Sequence, residues 1–200
     1  TEVPEGSNPT RWVHPEWAIQ LPWLVQGTTG RGGGAPGGDF ALFGAGGQPP
    51  APRPWIDLAH SLGFAGMVHS PQVHGSIVTL HPEGVRGLAL GADADGHATV
   101  VPGVLMGITV ADCVPVFLVD PVRRAVALLH AGWRGTVAGS LEQGIGLMEA
   151  CLGSDPSRLF LMGHSAGAHI AALLSLNPQY LQQAGASPAQ VQGFIGLAGP

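Results

Sequence analysis

Two apolar runs, Val116-Phe117-Leu118-Val119 and Ala125-Val126-Ala127-Leu128-Leu129, flank Asp120-Pro121-Val122-Arg123 and constrain this chain more than any other stretch. Asp at the first position and Pro at the second favour a tight turn: the Asp side chain bonds amides further along, and Pro presets φ. The segment is therefore predicted to be a β-hairpin. Both strands are apolar nearly throughout, so burial on both faces is expected. A sheet of that kind needs cover, and the period changes accordingly after Gly135. Val137, Leu141, Ile145, Met148 and Leu152 recur at helical spacing and fall on one face of a single helix. Gly153 is the expected stop. Gly139, Gly144 and Gly146 each weaken such a helix by about 1 kcal/mol relative to Ala, which packing against the sheet must offset.

Upstream, Trp55–Leu62 reads as a short helix ending at Gly63. Residues 66–69, 76–80 and 103–110 read as short β-runs, and Trp23–Thr29 as an extended one. The Gly-, Pro- and Ala-rich stretch 30–54 reads as a loop. The predicted fold class is mixed α/β (α+β), a largely buried mixed sheet covered by helices.

With 45% apolar and 10% charged residues the chain is of globular type. A net charge of −5 argues against nucleic acid as the main partner, since phosphate binding needs a basic surface. No basic block suggests a membrane surface, and no apolar run reaches the ~20 residues of a membrane span. No secretion leader is expected, and with only Cys113 and Cys151 a reducing compartment is expected over a disulfide framework. A small-molecule partner and a cytoplasmic location are expected.

His74, in Gln72-Val73-His74-Gly75, Cys113, in Ala111-Asp112-Cys113-Val114-Pro115, and His130, in His130-Ala131-Gly132-Trp133-Arg134-Gly135, each lie at the end of an apolar run or in a turn beside one. Two imidazoles and a thiolate suit Zn²⁺, and three protein ligands leave a fourth position open, as in catalytic sites. Their spacings match no local finger motif. An inert buried cysteine and ordinary hydrogen-bonded histidines remain the alternative.

The flanking residues narrow that choice. QVHG, DADG (Asp93–Gly96), TVADCVPV (Thr109–Val116) and HAGWRGT (His130–Thr136) together resemble the YfiH/laccase-domain family over about residues 12–152. That family was first described as multicopper polyphenol oxidases and later as purine nucleoside phosphorylases. Gly27-Thr28-Thr29-Gly30-Arg31-Gly32-Gly33 is similar to its early TTRxGG element. The resemblance implies phosphorolysis of adenosine, inosine and methylthioadenosine, with adenosine deamination as a further activity. It also implies metal ligands, and hence a catalytic centre, at His74, Cys113 and His130. Zinc is the expected ion; copper on the same ligands is the oxidase alternative, ranked lower because these residues do not compose several copper centres. Arg31 and Arg134 are the expected phosphate-binding residues, since a guanidinium clamps phosphate with paired hydrogen bonds. Asp112 is expected to contribute to substrate binding or to orient His130. Trp133 is weighed between stacking on a base and burial in the core, and Asp93 and Asp95 between site and turn.

Residues 158–200 depart from this pattern. Gly163-His164-Ser165-Ala166-Gly167 between a strand and a helix, within LFLMGHSAGAHIAALL and followed by GFIGLAGP, resembles the nucleophile elbow of carboxylesterase- and kynurenine-formamidase-like α/β-hydrolases. The resemblance makes Ser165 an alternative nucleophile. Only His169 follows it, inside the elbow helix, so no correctly placed base is expected and no esterase activity. The expected organisation is a metal-binding domain over 1–155, incomplete relative to its family, joined to a hydrolase-like strand–turn–helix over 156–200.

Overall fold

The structure is a computed structural model that describes residues 3–6, 10–30, 52–155, 157, 159–164, 166–183 and 187–197. Arg31 and Ser165 lie outside the described residues. The chain divides into two compact units, 2–154 and 155–200.

In chain order the first unit contains β1 (Val3–Glu5), β2 (Arg11–Val13), α1 (Pro15–Gln20), β3 (Thr28–Thr29), α2 (Arg53–Ser61), β4 (Gly66–His69), β5 (Val78–Leu80), β6 (Gly87–Leu90) and β7 (Gly96–Thr99). It continues with β8 (Leu105–Met106), β9 (Val114–Asp120), β10 (Ala125–Ala131), α3 (Trp133–Val137) and α4 (Ser140–Leu152). The central sheet has the order β5-β7-β10-β9: β10 runs antiparallel to both neighbours, and β5 pairs parallel with β7. A second sheet, β6-β4-β8, is parallel, and β1-β2-β3 is antiparallel.

The hairpin forms as its turn chemistry predicts. Asp120 Oδ1 accepts the amides of Val122 and Arg123 at 2.8 and 2.9 Å, and Arg124 takes the left-handed φ of +53° that lets the chain re-enter β10. Burial on both faces holds for much of β10 but not for β9. β9 is the edge strand, so every one of its residues is only half-buried.

The long helix expected after Gly135 is broken. Gly139, at φ +81°, separates α3 from α4, and Val137 is 82% exposed instead of continuing the buried face. α4 covers the central sheet through Met148 and Leu152, which join Ala98, Ala125, Ala127 and Leu129 in one core cluster. Fully burying an aliphatic side chain such as Leu129 contributes about 2 kcal/mol. Gly144 has a packing reason that its low helix propensity conceals. A Cβ there would lie 2.7 Å from Leu129 Cδ1, so only glycine lets the helix sit this close to β10. Gly153 ends α4 at φ +69°, as expected.

α2 spans Arg53–Ser61 and packs Trp55 and Ala59 against Met67 of β4. The extended run expected over Trp23–Thr29 narrows to Thr28–Thr29, and that over 103–110 to Leu105–Met106. In this unit β1, β2, β6 and β7 were not expected, and β7 is central to the sheet.

The second unit has β11 (Leu159–His164) and β12 (Val191–Leu197) in parallel, with α5 (Ala166–Leu176), α6 (Pro178–Gln183) and a 3₁₀ turn (Pro188–Gln190) between them. A parallel pair requires a crossover of this kind. Ser187 and Gln190 form a reciprocal capping box at the 3₁₀ turn. The expected strand followed by a helix is thus present, and nothing described ties it to a hydrolase. No described helix is long and apolar enough to cross a membrane. The fold class is mixed α/β, as expected.

Candidate metal centre

The hairpin register brings the first two ligand candidates together. Cys113 immediately precedes β9 and His130 is the penultimate residue of β10, and the pairs Pro115↔His130 and Val114↔Ala131 set them side by side. His74 arrives from the turn between β4 and β5. The ligand atoms of His74, Cys113 and His130 all lie within 4.8 Å of one another, and the two imidazole centroids are 4.9 Å apart, edge to face. Bonds of about 2.0–2.3 Å to one tetrahedral ion draw such atoms to within about 4 Å. Small side-chain rotations therefore suffice. From solvent inward, His74 is exposed, Cys113 half-buried and His130 buried.

Gly132 reserves the space among them. A Cβ there would lie 3.0 Å from Cys113 Sγ, 3.0 Å from His74 Cδ2 and 3.8 Å from His130 Cε1. This cradle and its donor set fit a borderline-soft ion such as zinc or copper. Gly135 allows a second close approach, since a Cβ there would lie 2.6 Å from the Gly75 carbonyl oxygen beneath the His74 turn.

Asp95 sits behind the trio, 1% exposed. Its Oδ1 accepts the His74 amide at 2.9 Å and lies 2.8 Å from His130 Nδ1, while Oδ2 accepts the amides of Val73 and Gly75 at 3.2 and 2.7 Å. The partner of His130 is therefore Asp95 and not Asp112, which lies exposed on the turn before Cys113. Gln72 ties the His74 turn to the Cys113 segment: its Nε2 donates to the Thr109 carbonyl at 2.7 Å and its Oε1 accepts the Thr109 amide at 2.7 Å.

Trp133 is 73% exposed rather than in the core, and the Arg134 guanidinium lies 5.3 Å from its ring centroid. Gln72, His74, Thr109, Asp112, Cys113 and His130 line part of a cavity of about 960 Å³. From the sequence alone Asp95 is undecided between site and turn, and nothing singles out Gln72 or Gly132. A strand reading of Gly96–Thr99 would have singled out Asp95, because antiparallel pairing sets it opposite His130, whose amide donates to the Asp95 carbonyl at 2.7 Å.

A second histidine cluster lies deeper in the fold. His81 Nε2 and His97 Nδ1 are 2.9 Å apart, and His69 Nδ1 donates to the Gly107 carbonyl at 2.9 Å, its ring stacked on Trp55. Burial, with smaller contributions from His81 and His69, pushes the His97 imidazole down to about 3. Burial also lowers His81 and His69.

The family described as multi-copper polyphenol oxidoreductase laccase matches residues 55–172. This chain belongs to that family. The family match includes all three ligand candidates and runs on through the GHSAG sequence, leaving the hydrolase likeness of 158–200 without support. Among curated relatives, a purine nucleoside phosphorylase of Deinococcus radiodurans is 36% identical over 138 residues, covering 66% of this chain and 52% of the relative. A purine nucleoside phosphorylase of Streptomyces griseus is 39% identical over 132 residues, 64% of this chain and 49% of the relative. The chain thus spans about half the length of the curated relatives it matches. The crystal structure of the YfiH protein of Bacillus licheniformis is similar in fold, with a TM-score of 0.66 and 22% identity, over 97% of this chain and 88% of that one. The names of family and relatives point to an enzyme of the YfiH and purine nucleoside phosphorylase type.

Proposed function

We propose that this chain is a zinc-dependent purine nucleoside phosphorylase acting on adenosine, inosine and methylthioadenosine, with adenosine deamination as a second activity. The observation that carries this reading is the approach of His74, Cys113 and His130 to within 4.8 Å around a glycine that leaves room for an ion. The names of the relatives supply the substrate class. Zinc, when bound, supplies a Lewis acid with one open coordination position. His74, Cys113 and His130 hold it. Arg134 and Arg31 bind phosphate, each guanidinium offering paired donors. Asp112 contacts the substrate at the cavity wall. A cavity of about 960 Å³ has room for a nucleoside beside phosphate. The two free cysteines, one of them a thiolate ligand in this reading, support a reducing, cytoplasmic setting.

Incubation of the full chain with inosine should release hypoxanthine and ribose 1-phosphate only when phosphate is present, and His130→Ala should slow release at least ~100-fold. Base release that ignores phosphate, or survives His130→Ala, contradicts the reading. The family description favours one second reading, copper on the same three ligands and oxidation of a phenol. Copper-dependent phenol oxidation without phosphorolysis would establish that alternative.

A further inference from the structure

The carboxylate of Asp95 has two oxygens and about four lone-pair sites, and all four are used. Oδ1 faces the His74 amide and His130 Nδ1, and Oδ2 faces the Val73 and Gly75 amides. A carboxyl group buried to this degree is accommodated when its oxygens are paired in this way. The three amides come from consecutive residues, and the middle one, His74, has φ +60°, in the left-handed region that a non-glycine residue enters only when held there. Successive amides around such a residue form an anion-binding concavity. Here the anion is the side chain of Asp95.

We propose that Asp95 is the positioning residue of the metal centre, holding the His74 turn in its left-handed conformation and fixing the ring and tautomer of His130 through one carboxylate. The proposal rests on the reading that His74, Cys113 and His130 bind a metal. A carboxylate only accepts, so His130 Nδ1 donates to it and Nε2 is left with its lone pair toward His74 and Cys113. With its acceptor sites filled, Asp95 is neither a ligand nor a proton acceptor in the reaction. Gln72 and Thr109 provide a separate tie on the Cys113 side that Asp95 does not touch. The two histidines are thus presented together by one group, and disturbing that group should disturb both.

The test uses the full chain labelled with ¹⁵N-histidine, stripped of metal, in wild-type and Asp95→Asn forms, followed by titration with Zn²⁺ alone. Asn keeps the shape but replaces one oxygen with a donor: facing Val73 and Gly75 that donor loses both amides, and facing His130 it loses the His74 amide and turns Nδ1 into an acceptor. In the wild type His130 is expected to carry its proton on Nδ1. In Asp95→Asn the Nε2–H tautomer should rise, and zinc affinity should fall about 10- to 100-fold. An Nε2–H tautomer in the wild type overturns the proposal whether or not the variant folds. A folded variant with unchanged zinc affinity also overturns it. A wild-type chain that binds no zinc defeats the metal reading instead, and the tautomer of His130 then still decides the role of Asp95.

Discussion

His130 and His97 stand on adjacent strands, β10 and β7, and are almost equally hidden at 3% and 1% exposure, yet their partners are of opposite kinds. His130 bonds to a carboxylate and borders a cavity that also reaches His74 and Cys113. His97 bonds to another imidazole, and burial drives its own to about 3, so it stays neutral over the physiological range. Burial by itself therefore does not mark a working histidine in this fold. What sets His130 apart is its carboxylate partner, the neighbouring thiol and the glycine that clears space. The deeper cluster ties β5 to β7, with Thr99 Oγ1 donating to the His81 carbonyl at 2.7 Å beside the imidazole pair.

The largest expected effect that sharpens this contrast is on acid stability. A histidine whose folded pKa lies below its unfolded value of about 6.5 contributes stability that is whole above pH 6.5 and declines as pH falls toward about 3. The unfolding free energy in urea should drop by about 1.4 kcal/mol per pH unit for each such group as pH falls through that window. His97→Gln should flatten the slope and leave zinc binding intact. A slope unchanged in His97→Gln would mean that the deeper cluster is not the acid-sensitive element.

Gly132→Ala comes next. Its Cβ would press on Cys113 Sγ and His74 Cδ2 at 3.0 Å, and overpacking of that order, about 1–2 kcal/mol, should weaken zinc binding roughly 10-fold with little change in melting temperature. Unchanged affinity would show that the glycine is not reserved for an ion. The smallest effect expected is that of Gly144→Ala. The gain of about 1 kcal/mol in helix propensity is opposed by the 2.7 Å clash with Leu129, for a net loss of about 1 kcal/mol in chemical denaturation. A net gain would place α4 further from β10 than the geometry has it.

What could be read from the sequence divides along the same line. The hairpin was legible because its cause is local: a turn of fixed chemistry between two apolar runs. The pairing that sets Cys113 beside His130 follows from that hairpin, so half of the candidate centre was already implicit in residues 113–130. β7 was not legible, because Gly96-His97-Ala98-Thr99 follows an Asp- and Gly-rich turn and carries two polar side chains that look solvated. They are buried because His81 supplies a partner to each, its ring to His97 and its carbonyl to Thr99, and only the folded sheet brings it near. Asp95 shares the difficulty, since its role depends on the register between β7 and β10. The break in the long helix was hidden for a different reason: the apolar spacing of Val137 and Leu141 survives a turn at Gly139 that points Val137 outward.

The most direct test of the account is zinc content per chain after gel filtration, for the wild type and for His74→Ala and Cys113→Ala. Close to one zinc is expected in the wild type and a small fraction of that in each variant. Full zinc retention in both variants would contradict it, because the ion would then be held somewhere other than among His74, Cys113 and His130.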